Sequence, residues 1–260
     1  MPEELFQKIL QPGALSAAVQ PVWEVGRSPL RTHYAEFLIR GPRGTTLETP
    51  DILFEYARLK NRTCEVDLAC LRAIFAAAKS APAHVHVGVN VHASSLAFDP
   101  ELVQTLADLA SENGIEPRRL VVEVVEHAPA WDAEAFREAL DCLRDIGAKI
   151  AVDDVGLGHS NYQMILDCRP DYFKIDRYFV LGCHADYYRQ AVLASIAQLA
   201  RSFGAQVIAE GIETETDLAA VMDAGIGLGQ GFLLGAPVDI PPGDDGALLR
   251  SWSGPNAMGA

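Results

Sequence analysis

The sequence predicts an α/β fold, a TIM-like (β/α)8 barrel whose first strand runs antiparallel to the others. From about residue 85 a unit recurs: a Val/Ile-rich strand ending in a polar residue, a loop, an amphipathic helix, a glycine and the next strand. Strands that alternate with helices pair in parallel, because a parallel neighbour is reached only across a connection long enough to hold a helix. About eight strands fit the pattern, and barrels of eight such units commonly take about 250 residues, against the 260 present here.

The first two strands fall near 17–24 and 33–40. Their link, Gly26-Arg27-Ser28-Pro29-Leu30-Arg31, is too short for a crossover helix, so they form a hairpin and strand one opposes the rest. The third strand lies near 85–91, after which Asp99 and Pro100 read as the N-cap and first residue of a helix carrying Leu102, Leu106 and Leu109. A strand near 119–125 is followed by Phe136, Leu140 and Leu143 on one helical face, closed by Gly147. Strands near 148–153 and 171–175 come next. A helix bearing Val192, Ile196, Leu199 and Phe203 stops at Gly204, and strands near 206–210 and 228–233 complete the set. No Pro-, Gly- or Ser-rich linker divides the chain, which reads as one barrel domain over 1–240 and an irregular tail over 241–260.

With 49% hydrophobic and 22% charged residues, the chain can bury a sizeable core and is not of the disordered class. Thirty-five acidic residues against 21 basic ones give a net charge of -14, which argues against long nucleic acid as a partner. A small anionic substrate is compatible if bound metal and local Lys or Arg reverse the field inside a cleft. Cys64, Cys70, Cys142, Cys168 and Cys183 form no CxxC pair and read as buried, reduced thiols. The start Met1-Pro2-Glu3-Glu4 lacks a basic leader region and no apolar run reaches membrane-spanning length, so a cytoplasmic location without membrane contact is expected.

In a parallel barrel the carboxyl ends of the strands share one face, and the chemistry gathers there. Those ends carry Glu36, Asn90, Glu123, Asp153 with Asp154, Lys174, Glu210 and Gln230. Glu123 lies between Val122 and Val124, where an unpaired carboxylate is strongly destabilised. Five converging carboxylates need positive charge among them, and divalent cations supply it. With neither Cys nor His at the strand ends, the ligand set favours Mg²⁺ or Mn²⁺ over Zn²⁺. The adjacent pair Asp153-Asp154 can bridge two ions about 3.5–4 Å apart, the arrangement that activates a water for in-line phosphoryl displacement. Lys174 is either a structural counter-charge or a group that positions that water, and both roles can coexist. A period of two puts Glu36, Leu38 and Arg40 on one face, so a metal ligand and a phosphate-reaching guanidinium can share the site.

These residues resemble the EAL family of cyclic di-GMP phosphodiesterases, from Gln20-Pro21 to Pro237. The matching pieces are Glu36-Phe37-Leu38-Ile39-Arg40, Asn90, Glu123-Val124-Val125-Glu126, Asp153-Asp154, Lys174-Ile175-Asp176, Ala209-Glu210-Gly211-Ile212-Glu213 and Gln230-Gly231-Phe232. The resemblance implies a metal-dependent hydrolase that uses two Mg²⁺ or Mn²⁺ ions, with Ca²⁺ expected to inhibit, and that opens cyclic di-GMP to linear pGpG by in-line attack of a metal-bound water. It implies Glu36, Asn90, Glu123, Asp153, Asp154 and Glu210 as metal ligands. Lys174 is implied to hold the catalytic water with help from Gln230 and Glu213, with Glu210 also in the catalytic group. Gln20, Leu38, Arg40 and Asp176 are implied to contact substrate, and Glu126 to steady the loop after the paired aspartates. A homodimer and a regulatory partner are further expectations from the family.

Three positions depart from the family pattern. Phe37 stands where the family has alanine, and by alternation points away from the ligands. The loop Val155-Gly156-Leu157-Gly158-His159-Ser160-Asn161 keeps both glycines but loses an aromatic residue and a threonine. His92 stands where the family has serine and reads as a polar exchange on an exterior or rim position. His84 and His86 fall at the opposite end of the barrel and, like His159, read as rim residues. The altered loop motivates an alternative, a weak or inactive receptor for cyclic di-GMP that acts through a partner.

Overall fold

A computed structural model of the protein describes residues 3–79, 81–125, 132–157 and 162–241. The chain enters through α1 (Glu3–Ile9), which buries Phe6 and Ile9. The hairpin of β1 (Ser16–Glu24) and β2 (Arg31–Arg40) follows, antiparallel as its short link requires. Two helices, α2 (Pro50–Leu59) and α3 (Thr63–Ala78), lead to β3 (His86–His92). Then come α4 (Ala93–Phe98), α5 (Leu102–Glu112), β4 (Leu120–Val125), α6 (Ala133–Asp145) and β5 (Lys149–Val155). The series ends with α7 (Tyr162–Cys168), β6 (Tyr172–Ile175), α8 (Arg177–Val180), α9 (Tyr187–Phe203), β7 (Gln206–Ala209), α10 (Glu215–Asp223), β8 (Leu228–Gly229) and β9 (Val238–Asp239). Strands β2 to β8 pair in parallel in chain order, and β1 closes the ring by pairing antiparallel to both β2 and β8.

Alternation divides each strand between two cores. Outward residues such as Val89, Val122, Val124, Val152, Phe173 and Ile175 pack against helix faces, including Phe136, Leu140 and Leu143 of α6, in one continuous shell. Inward residues Val22, Tyr34, Val121, Ala151, Tyr172, Ile208 and Leu228 form a separate plug inside the barrel.

Some boundaries differ from the sequence reading for local reasons. Asp99-Pro100 is the turn between two helices, because α4 occupies the residues before it; α5 begins at Leu102, and Asp99 accepts from Glu101 N at 3.0 Å. β8 is two residues long, since the chain from Gly231 turns back on itself through a Gly231–Gly235 bridge. Gly231 has φ of 154°, and a Cβ there would lie 2.2 Å from Ile212 N, so the turn needs glycine. β9, absent from the reading, adds beside Ala18 and Val19 of β1. Cys142 is exposed, being turned away from the buried α6 face of Leu140 and Leu143, while Cys70, Cys168 and Cys183 are buried as expected. Among the described residues no helix is long and apolar enough to cross a membrane. The tail after residue 241 lies outside the described residues.

A buried carboxylate ties the approach to α9 onto α10. Asp217 accepts from His184 Nδ1 at 2.7 Å, Thr214 Oγ1 at 2.9 Å, Gly182 N at 3.2 Å and His184 N at 3.3 Å. Burial works to raise its pKa, but these donors outweigh burial and hold it at about 2. The folded value lies below the ordinary carboxylate value of 3.8, so this stabilisation is complete above that value and fades as pH falls through 2. Asp217→Ala is expected to lower the unfolding free energy by about 3 kcal/mol at pH 7. Urea denaturation at pH 7 and pH 3 should show the gap between parent and variant narrowing at the lower pH.

Candidate functional site

The site is the layer of inward residues directly above the apolar plug. Two residues beyond each plug position, on the same face, stand Glu36 after Tyr34, Glu123 after Val121 and Asp153 after Ala151. Lys174 follows Tyr172, Glu210 follows Ile208 and Gln230 follows Leu228 in the same way. On β3 the same spacing leads from Gly88 to Asn90. On β1, which runs the other way, it leads back from Val22 to Gln20, which pairs with Glu36. Every strand of the barrel therefore contributes one polar side chain to a single level.

Lys174 occupies the centre of that level, with 1% of its side chain exposed. Its Nζ lies 2.9 Å from Glu210 Oε1, 3.2 Å from Asp153 Oδ1 and 3.3 Å from Glu36 Oε1, and makes a closer contact with Glu123 Oε2. Gln230 Nε2 donates to Glu36 Oε2 at 2.9 Å and to Glu210 Oε1 at 3.0 Å, and Asn90 Nδ2 donates to Glu36 Oε1 at 3.2 Å. The ammonium and two amides thus hold Glu36 and Glu210 in fixed orientations.

Consecutive residues of a regular strand face opposite sides, so Asp153 and Asp154 cannot both turn inward without an irregularity. The pairing of β5 with β6 shifts register between Val152 and Val155, and Asp154 adopts φ of 51°. This bulge and left-handed residue bring Asp153, Asp154 and Glu210 together, with one oxygen of each lying within 4.8 Å of the others. A glycine performs a similar service on β3. A Cβ at Gly88 would lie 2.5 Å from Glu123 Oε1 and 2.8 Å from Tyr34 Cε2, so only glycine leaves room for both.

One ammonium does not neutralise five carboxylates. Burial alone would lower the pKa of Lys174, but Asp153, Glu123, Glu210 and Glu36 reverse this and hold it well above the usual lysine range. Burial works to raise Glu36, yet Lys174, Gln230 and Asn90 outweigh it and the carboxyl is lowered. Glu123 is pushed up to about 8 by burial and then by Glu36. Glu210 is pushed well above its usual range by burial, against Lys174 and with Asp153 and Glu36. Asp154 is pushed up to about 6 by burial, Asp153 and Asp176. Two buried acceptors, Glu123 Oε1 and Gln230 Oε1, have no hydrogen-bond partner among the described residues. An all-oxygen cluster short of positive charge, with acceptors to spare, fits hard divalent cations.

The remaining sequence-derived candidates lie around this centre. Gln20 Nε2 donates to Gly235 O at 2.9 Å, and Arg40, half-buried on the face of Glu36 and Leu38, donates to Ile39 O at 3.1 Å. Asp176 interacts with Asp154 and accepts from Tyr178 N at 2.7 Å as the N-cap of α8. Glu213 pairs with Arg177 at 3.1 Å. Phe37 faces the outer shell. His92, read as an exterior or rim position, is buried, its Nδ1 lying 2.9 Å from Asp67 Oδ1 on α3. His84 is exposed, and His86 opens β3 at the end opposite the carboxylates. Glu126, His159 and the loop from Gly158 to Asn161 lie outside the described residues. Tyr34 and Gly88 are members of the interior that the strand-end reading omits, although each sits two residues before a ligand candidate on the same face.

A family model described as EAL domain matches residues 3–237. The chain is 27% identical over 241 residues to the probable cyclic di-GMP phosphodiesterase PdeG of Escherichia coli (strain K12), covering 91% of this chain and 47% of that protein. It therefore spans about half the length of this curated relative. Among solved structures, the calcium/cy-diGMP complex of Klebsiella pneumoniae BlrP1 at pH 8.0 is similar with a TM-score of 0.78 and 29% identity, over 92% of this chain and 62% of that one. The manganese/cy-diGMP complex of the same protein at pH 9.0 has a TM-score of 0.77 and 31% identity, over 88% of this chain and 57% of that one.

Replacing the central ammonium by an isosteric apolar group leaves buried carboxylates that must take up protons to remain folded. Lys174→Met is expected to lose about 3–5 kcal/mol of stability at pH 8 in the presence of EDTA. The loss should shrink at pH 5, because the folded state would then bind more protons than the unfolded chain and stability would fall as pH rises. Chemical denaturation at the two pH values checks this.

Proposed function

Because the chain belongs to the EAL domain family, we propose that it is a divalent-metal-dependent phosphodiesterase that hydrolyses cyclic di-GMP to linear pGpG. The observation that carries this reading is the level of oxygen ligands around Lys174, with Asp153, Asp154 and Glu210 converging beside it. Cyclic di-GMP as substrate is supported by the name of PdeG and by the cyclic di-GMP complexes of BlrP1; the calcium and manganese in those complexes support divalent ions.

Glu36, Asn90, Glu123, Asp153, Asp154 and Glu210 would hold two Mg²⁺ or Mn²⁺ ions. Such ions, when bound, polarise a phosphoryl oxygen and acidify water. Lys174, held above the usual lysine range by the surrounding carboxylates, would serve as a donor and counter-charge for the attacking water and for the charge that builds on the phosphoryl oxygens. Gln230 fixes the carboxylates of Glu36 and Glu210 against rotation. Arg40, with Gln20 and Leu38 beside it, would contact the dinucleotide, its guanidinium meeting a phosphate. Attack by water breaks one P–O bond of the ring, leaving a 5′-phosphate on one guanosine and a free 3′-hydroxyl on the other. A cytoplasmic setting suits this substrate.

Incubation with cyclic di-GMP and Mn²⁺ or Mg²⁺ is expected to yield pGpG, resolved by chromatography, with Ca²⁺ suppressing turnover. Absence of product with either ion would sink the reading, and tight nucleotide binding without turnover would favour a receptor. Glu36→Ala and Asp153→Asn should each lower kcat by at least about 100-fold, since a lost ligand leaves the ions misplaced.

Protons on Glu123 and Asp154 compete with metal, the former up to about pH 8 and the latter up to about pH 6. Mn²⁺ affinity measured by titration calorimetry should therefore rise from pH 6 to pH 8, with proton release on binding. A flat profile would contradict this.

A further inference from the structure

Asp67 and His92 form a buried polar pair that the acidic level does not include. Asp67, on α3, has 0% exposure, and His92, the last residue of β3, has 6%. Both carboxylate oxygens of Asp67 turn to that one residue: Oδ1 lies 2.9 Å from the ring Nδ1, and Oδ2 accepts from the main-chain N at 3.3 Å. A carboxylate only accepts, so Nδ1 carries the hydrogen, and the two contacts fix the ring and the course of the chain together. The imidazole also packs on the Phe54 ring of α2, with centroids 4.4 Å apart. The carboxyl end of β3 is thus clamped to the two helices that precede it in the chain.

That end of the strand carries Asn90, two residues before His92, whose Nδ2 donates to Glu36 Oε1 at 3.2 Å. With its amide hydrogens directed at Glu36, the side chain keeps its carbonyl oxygen for a hard cation. Asn90 pairs with Glu123 and His92 with Val125, so the clamp also sets the last rungs between β3 and β4. Past His92 the chain turns at once into α4, and His92 gives that helix no side-chain cap because its ring nitrogen is engaged by Asp67.

We propose that Asp67 and His92 are positioning residues of the ion site: by fixing the carboxyl end of β3 they hold the Asn90 amide against Glu36 in the arrangement that receives a divalent ion. This rests on the divalent-ion reading of the site. A ligand held in place before the ion arrives loses less freedom on binding, so the groups behind it contribute to affinity.

Mn²⁺ alone, titrated into the full chain and followed by electron paramagnetic resonance, tests this. Asp67→Asn keeps the side chain's size but puts an amide where an acceptor stood, and is expected to weaken Mn²⁺ binding about 10-fold. His92→Phe keeps a ring against Phe54 and removes the donor to Asp67, and should weaken binding to a similar extent. His92→Asn restores an N–H at nearly the reach of Nδ1 and should bring the affinity back toward the parental value. Packing alone would favour Phe over Asn, the opposite order. Unchanged affinity in Asp67→Asn or in His92→Phe would overturn the proposal, as would equal weakening by the two His92 variants. Asp217→Ala controls for general loss of stability, since the donors to Asp217 come from Gly182, His184 and Thr214. It should lower the thermal midpoint in EDTA and leave Mn²⁺ affinity unchanged; weakening as large as that of Asp67→Asn would also overturn the proposal. If Asp67→Asn does not fold, the His92 variants decide. A parent that bound no Mn²⁺ would bring down this proposal and the ion reading together, whereas a parent that binds beside unaffected variants would bring down only this one.

Discussion

The contact between the Lys174 ammonium and the carboxylates of Glu36, Glu123, Asp153 and Glu210 is the constraint around which the upper half of the barrel is arranged. Taking one lysine and several acids out of water is costly, and the cost is met only if the charges meet closely and the remaining donors and acceptors are engaged. The neighbouring residues serve that end. Gln230 and Asn90 direct amide hydrogens at Glu36, and the apolar plug of Val121, Ala151, Ile208 and their neighbours keeps water from entering from below. The same low dielectric makes the cluster selective. It raises Glu123 and Glu210 while Glu36 is lowered, so the layer is graded in affinity for protons rather than uniformly ionised.

A barrel suits this task because its geometry repeats. Each strand offers an inward residue every second position, so a chain that alternates an apolar residue with a polar one two places later builds a dry floor and a charged level in one operation. The exceptions are the informative positions. Asp154 joins Asp153 through a bulge and a left-handed backbone, which ordinary pairing would have forbidden. Gly88 omits a side chain where two large ones, Tyr34 and Glu123, converge. Such local departures from regular structure, set in a rigid frame, are where function is commonly concentrated.

Much of the architecture could be read from the chain. The hairpin of β1 and β2 followed from a link too short for a helix, and the closed ring followed from the strand count. Glu36, Asn90, Glu123, Asp153, Lys174, Glu210 and Gln230 were identifiable because polar residues ended apolar strands, and they do gather at one level. Harder to see were features without periodic signal: the helix α4, whose few residues leave no amphipathic trace, the two-residue strands β8 and β9, and the exposure of Cys142. The burial of His92, read as an exterior or rim position, was not legible because its partner, Asp67, comes from a helix 25 residues earlier, and no local pattern announces that meeting.

By itself the order of residues determined which side chains are carried inward and at which end of each strand, since both follow from a period of two and from the helix between consecutive strands. Only the closed tertiary structure decided how those side chains divide one lysine among four acids, that Glu213 pairs with Arg177, and that Tyr34 and Glu123 share the space over Gly88. The physical reason is range. Periodicity is a property of neighbouring residues along the backbone, whereas charge sharing and hydrogen-bond partnership depend on distances between strands that the chain fixes only when the ring closes.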